Sequence, residues 1–169
     1  MEKFFNPQSV VLLGVSRHTG VGAYNLLEMM LRYGYQGRIM VVHPEAGEIL
    51  GHRTYRQVAA LPEVPDLAVL SLGRDRLLPV VEECLAKGIR RLVIISQGLA
   101  DADSRGRELQ AEIVARARAH GARIVGPNTM GVINAFTGFS TAFVDLPRPL
   151  KPPPVTLIAQ SGAPQVGSE

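Results

Sequence analysis

VVLLGVSRHTGVG, Val10 to Gly22, decides the fold. Its apolar start reads as a strand buried on both faces, and the glycines at 14, 20 and 22 make the loop that follows. The periodicity then turns helical: Ala23, Leu26, Leu27, Met30 and Leu31 fall at i, i+3, i+4, i+7 and i+8, and Gly34 ends the run. Strand, glycine loop and helix N-terminus in that order place free N–H groups at the positive end of a helix dipole. This is a natural site for phosphate or pyrophosphate.

The same alternation repeats along the chain. Phe4, Phe5, Asn6 and Pro7 are expected to fold back as an apolar plug beneath the sheet. Further strands are expected at Ile39–Val42, Leu67–Leu72, Leu92–Ser96 and Arg123–Val125. Helices are expected near Tyr55–Leu61, at Asp75–Lys87 and at Arg105–His120, the last carrying a Glu112–Arg116 pair. Leu77, Val81, Cys84 and Leu85 share one face of the second of these, and Leu109, Ile113, Val114 and Ala117 one face of the third. Five strands alternating with helices specify an α/β fold: a doubly wound, Rossmann-like, mostly parallel sheet with helices on both faces. Residues 1–145 are expected to form this domain. Pro147, Pro149, Pro152, Pro153 and Pro154 make 146–154 a stiff linker, and 155–169 reads as the first strand and turn of a second, truncated domain.

Composition bounds the function. Hydrophobic residues make up 46% of the 169, enough for a core, yet no apolar stretch reaches the roughly 20 residues of a membrane helix. The N-terminus lacks the plan of a signal peptide, so a cytoplasmic protein with no membrane partner is expected. Cys84 stands alone on an apolar helix face and reads as an inert core thiol. A net charge of +3, scattered arginines and no tryptophan argue against nucleic acid. His18, His43, His52 and His120 have no metal-ligand spacing, so no metal is expected.

Ligands of such sheets lie beyond the strand carboxyl ends. Those ends carry Gly14, Ser16, Arg17, His18, Thr19 and Gly20 after the first strand and His43 after the second. Ser71 and Gly73 follow the third, Ser96, Gln97 and Gly98 the fourth, and Gly126, Pro127 and Asn128 the fifth. Glycine and serine serve any βα turn, but five such loops on one edge form a binding rim. An NAD fingerprint would place glycines where Ser16 and Thr19 stand and an acid where His43 stands, so nicotinamide is disfavoured. No Gly-Lys-Ser or Gly-Lys-Thr is present to make a Walker loop.

GVSRHTGVG (14–22), VVHP (41–44), DLAVLSL (66–72), VIISQG (93–98), IVGPNTMGVIN (124–134) and IAQSGA (158–163) together resemble the N-terminal CoA-binding domain of NDP-forming acyl-CoA synthetases, relatives of the succinyl-CoA synthetase alpha subunit. The resemblance covers almost the whole chain. It implies that Ser16, Arg17, His18 and Thr19, with Ile95, Ser96 and Gln97, border the coenzyme, and that Asn128 lies near its pantetheine end. The family's cysteine after that asparagine is Thr129 here, its lysine after the second strand is Glu45, and its Val-Pro-Ala after the third is Ser71-Leu72-Gly73. Arg74 or Arg76 is the replacement cation this suggests. The family's phosphohistidine lies in a second domain, and none of the four histidines fits its motif. Ser161 reads as a turn residue, without the setting of a hydrolase nucleophile. The resemblance thus implies a chain with no catalytic residue that holds coenzyme A or acyl-CoA, beside an ATP-grasp subunit or domain, in a possible homo-oligomer. The alternatives are a CoA-binding regulatory module of a protein acetyltransferase and an NAD or nucleotide-binding Rossmann domain.

Overall fold

Every residue of the first strand, β1 (Ser9–Leu13), is buried, because side chains alternate between two covered faces. Val11 and Leu13 enter one core; Val10 and Leu12 enter the other. A polar residue at any of these positions would forfeit about 1.5–3 kcal/mol of burial. The computed structural model describes residues 1–20, 25–45 and 47–142. The linker and the segment 155–169 lie outside them, as does Ala23.

Ahead of β1 runs a single helical turn, α1 (Glu2–Phe5), and after it come α2 (Leu26–Arg32), β2 (Arg38–Val42), β3 (Glu48–Ile49) and β4 (His52–Tyr55). A 3-10 turn at Val58–Ala60 leads to β5 (Leu67–Leu70), α3 (Arg74–Lys87), β6 (Arg91–Ile94), α4 (Ser104–Ala119), β7 (Arg123–Val125), β8 (Ile133–Asn134) and β9 (Phe139–Ser140). The main sheet has seven strands in the order β3-β4-β2-β1-β5-β6-β7. All its pairings are parallel except β3 with β4, and β8–β9 is a separate antiparallel hairpin. The expected five strands form the centre and one side of a doubly wound Rossmann-like sheet; β3 and β4 extend the other.

α3 and α4 cover one face, with the 3-10 turn, and α2 covers the other, with Phe4 and Phe139. On α3 the expected face holds: Leu77, Val81, Cys84 and Leu85 are buried, and Gly88 closes the helix in the left-handed conformation. Burial pushes the Cys84 thiol up to about 12. The Glu112–Arg116 pair forms at 3.2 Å.

Three expectations need correction. Tyr55–Leu61 is not a helix: Tyr55 ends β4, where Thr54 and Tyr55 pair with Val41 and Val42, and only a 3-10 turn follows. α2 starts at Leu26 because the Asn25 side chain caps it there, and this phase buries Met29 and leaves Leu31 40% exposed. The aromatic plug is half made, since Phe4 is buried and Phe5 is exposed.

β1 and β5 are neighbours, but the chain leaves β1 for α2 on one face and β5 for α3 on the other. Their carboxyl ends are therefore the topological switch point. There Gly14 has φ 86°, and a Cβ on it would lie 2.1 Å from the Ser71 carbonyl oxygen. At the opposite edge, Asp66 takes an ion pair from Lys3 and a 2.9 Å hydrogen bond from the Gln8 amide. Burial pushes the Asp66 carboxyl up, but these contacts and the Lys3 charge together outweigh it and leave the group below its ordinary value.

Gly14→Ala is expected to destabilise the fold by more than about 1–2 kcal/mol, the left-handed penalty alone, because the Ser71 carbonyl must also move. Gly47→Ala, where a Cβ meets nothing within 4 Å, is the control. It should stay within about 0.5 kcal/mol in urea unfolding; equal losses at both sites would refute the close-approach argument. For Asp66, a lowered folded-state pKa gives stability that is present above the unfolded value and lost as pH falls through the folded one. Asp66→Asn should accordingly lower the urea midpoint at neutral pH and flatten its acid-side fall. A pH profile identical to that of the unmodified chain would show that the contact adds nothing.

Candidate functional site

All five parallel-strand ends singled out in the sequence meet on one edge of the sheet. In the loop after β1, the Ser16 hydroxyl accepts the His18 amide at 3.0 Å, a local turn that leaves Arg17, His18, Thr19 and Gly20 exposed. Asn25, only 2% exposed, ties this loop to α2. Its side-chain nitrogen donates to the Ser16 carbonyl at 2.7 Å and the His18 carbonyl at 3.2 Å, while its oxygen accepts the Leu27 and Glu28 amides. The helix-terminal amides expected to receive a phosphate are thus partly satisfied from within. Glu28 also accepts the Gly20 N–H at 2.7 Å and pairs with Arg32 at 3.0 Å.

Sequence reasoning passed over Asn25, although an asparagine directly before an apolar run is an N-cap signal. Its effect on the loop two turns upstream could not be read that way, since those bonds run from the cap's amide to carbonyls 7 and 9 residues away.

The other loops are joined by short polar links. The Ser71 amide donates to the Leu13 carbonyl at 2.9 Å, and the Leu72 amide to the Ser96 hydroxyl at 2.9 Å. Ile95 is buried and hydrogen-bonded to the Leu70 carbonyl, Ser96 is buried, and Gln97 is exposed. The Ser96 carbonyl accepts the Asn128 amide at 3.0 Å. Asn128 sits at φ 52°, a left-handed conformation that asparagine tolerates. A Cβ on Gly126 would lie 2.3 Å from the Ile94 carbonyl, so this turn also needs glycine.

Beside the switch point a cleft of about 460 Å³ runs between the β2 end and α3. Gly14, His43, Ser71 and Gly73 line it with the apolar Leu13, Val15, Val42, Leu72 and Val80. The His43 amide donates to the Tyr55 carbonyl at 2.8 Å, and its ring Nδ1 accepts the Glu45 amide at 3.2 Å. Glu45 also meets Arg17 at 3.4 Å, bridging the first two loops.

The two arginines raised as replacement cations separate here. Arg74 is committed to Asp103 at 2.8 Å and the Gly98 carbonyl at 3.1 Å, and its guanidinium holds the Asp103 carboxyl below its ordinary value. Arg76 lines the cleft, together with Arg56. Arg56 carried no signal in the sequence because it follows a strand that the sequence did not announce. Glu83 is exposed and also lines this cleft.

This edge offers neutral hydrogen-bonding groups, close backbone approach and arginine side chains, which suits a phosphate-bearing ligand with an apolar ring or chain. Among the described residues no group of three or more His, Cys, Asp or Glu side chains could hold a metal ion, and no helix is long and apolar enough to cross a membrane.

Residues 8–135 match the family model described as a CoA binding domain. The chain is 34% identical over 162 residues to an ADP-forming acetate–CoA ligase II of Archaeoglobus fulgidus, covering 96% of this chain and 24% of that protein. It is 34% identical over 167 residues to the alpha subunit of the ADP-forming acetate–CoA ligase I of Pyrococcus furiosus, covering 96% and 36%. Among solved structures, a dinucleotide-forming acetyl-coenzyme A synthetase 1 of Candidatus Korarchaeum cryptofilum, in complex with phosphate and ADP, superposes with a TM-score of 0.77 at 31% identity, over 84% of this chain and 30% of that one. The chain therefore spans about a quarter to a third of the length of these relatives. With the matched span running from just before β1 into the β8–β9 hairpin, the chain belongs to the CoA-binding domain family.

Proposed function

We propose that this chain binds coenzyme A, or an acyl-CoA, across the carboxyl edge of its sheet, and that it is the CoA-holding part of an NDP-forming acyl-CoA synthetase. The observation that carries the reading is the cleft at the β1–β5 switch point, inside the span shared with the CoA-binding family. In this reading Gly14, Ser16, Arg17, His18, Thr19 and Gly20 face the diphosphate, and His43 and Ser71 border the nucleoside. Ile95, Ser96, Gln97 and Asn128 lead toward the pantetheine arm.

The residues fit such a ligand. Glycine at 14 and 126 lets neighbouring strand exits close up on each other at this edge, and the cleft lining combines apolar side chains with Arg56 and Arg76. The parent reaction would be acyl-CoA + NDP + phosphate to acid + CoA + NTP, reversibly. This chain would fix the coenzyme so that its thiol reaches the chemistry supplied by an ATP-grasp domain or subunit. Holding the thiol in one place converts an encounter into an effectively intramolecular step. The chain's own role is binding and orientation.

Titration calorimetry of the chain with CoA, NAD and ADP tests this. CoA should bind most tightly; a preference for NAD overturns the reading. Ser16→Asp keeps an acceptor for the His18 amide, so the fold should stand, yet it sets an anion at the β1 loop and should weaken CoA binding by at least about tenfold. An unchanged affinity would remove that loop from the site.

A further inference from the structure

We propose that Arg56 and Arg76 act as a pair that reads the 3′-phosphate at the nucleoside end of coenzyme A. The inference rests on the CoA reading above; it chooses Arg76 over Arg74 and adds Arg56, which neither the sequence motifs nor the resemblance supplied.

The geometry comes from two walls of one cleft. On α3, Arg76, Val80 and Glu83 stand at i, i+4 and i+7, and all three line the cleft, while Leu77, Val81, Cys84 and Leu85 on the adjoining face fill the core. On the other side, the pairing of Val42 with Tyr55 places Arg56 just past the end of β4 and at the same cleft. Leu13, Val42, Leu72 and Val80 supply apolar surface between them. That surface suits a purine ring with a charged group beside it.

The charge balance selects these two arginines. Arg17 is paired with Glu45, Arg74 is held by Asp103 and the Gly98 carbonyl, and Arg53 lies over the Tyr55 ring at 5.7 Å. The guanidinium groups of Arg56 and Arg76 have no hydrogen-bond or ion-pair partner among the described residues. Glu45 is engaged by Arg17, and the Glu83 carboxylate approaches the Val58 amide at 3.5 Å. The lining thus holds two arginines and two glutamates, and Arg17, just outside it, offsets Glu45 so that the positive charge of the region exceeds the negative by one. A phosphate monoester is a dianion near neutral pH, and planar guanidiniums bind it with paired, charge-assisted hydrogen bonds. Coenzyme A carries phosphate in two separate places, a diphosphate and a 3′-monoester. With the diphosphate at the β1 loop, the monoester is the group left for the arginine pair.

Calorimetric titration of the full 169-residue chain with CoA and with dephospho-CoA, which lacks only the 3′-phosphate, tests the assignment. CoA should bind about tenfold or more tighter than dephospho-CoA. Arg56→Gln and Arg76→Gln should each bring CoA binding toward the dephospho-CoA value without changing dephospho-CoA binding. Arg56→Lys and Arg76→Lys should keep part of the preference, and they stand in if either Gln variant has a lowered unfolding midpoint. A CoA to dephospho-CoA ratio that is unchanged in the variants, or absent in the unmodified chain, overturns the proposal and leaves the CoA reading standing. Failure of the unmodified chain to bind either ligand overturns both.

Discussion

The Ser71 carbonyl occupies the place where any side chain on residue 14 would begin. β1 and β5 are parallel neighbours, with Leu13 opposite Leu70, so their exits are forced together before they diverge to opposite faces of the sheet. Glycine lets the two backbones touch, and the space just outside becomes the cleft. The same contact begins a series of links along the edge. Ser71 donates to Leu13, Leu72 to the Ser96 hydroxyl, and Asn128 to the Ser96 carbonyl. Ser96, singled out as a ligand contact, is therefore also the joint between the β5, β6 and β7 loops. A rim tied in this way gives its outward-facing groups fixed positions, which reduces the ordering a ligand must impose.

Polar groups at this edge divide by whether they are already satisfied. Asn25 is fully committed to loop and helix backbone, so its role is to hold the β1 loop. Arg74 has two partners and fixes the start of α3 against the loop after β6. Arg17 is different: its contact with Glu45 is long and both side chains are more than half exposed. Exposed pairs of this kind contribute about 0–1 kcal/mol, so releasing Arg17 to a phosphate is inexpensive. Glu28 on the Gly20 amide is a closer contact, and an incoming anion at that N–H has to displace it.

Legibility in the sequence followed how much each element depends on distant partners. β1, β5 and α3 were readable because their burial is written locally, as unbroken apolar runs or as a helical stripe. β4 was not: of His52, Arg53, Thr54 and Tyr55 only Thr54 is buried, and the strand exists through its pairing with β2. In α2 the run LLEMMLR offers two overlapping stripes, and the Asn25 cap decides in favour of Met29 over Leu31. At the site, the loops could be listed from strand ends alone. Which arginine was bound and which open could not, because that depends on Asp103, Gly98 and Glu45, brought near by the sheet order.

The two walls of the cleft differ in rigidity for the same reason. Arg76 rides on a 14-residue helix whose other face is packed into the core, so its backbone moves only if α3 does. Arg56 follows a strand held to the sheet by two paired positions on β2 and flanked outside by the two-residue β3. Short edge elements with few buried residues sit at the low end of local stability. In the proposed complex the α3 wall would therefore set where the ligand lies, and the β4 wall would be the side that adjusts to it. In the proposed arrangement one guanidinium springs from a firmly packed backbone and the other from one able to close on the phosphate.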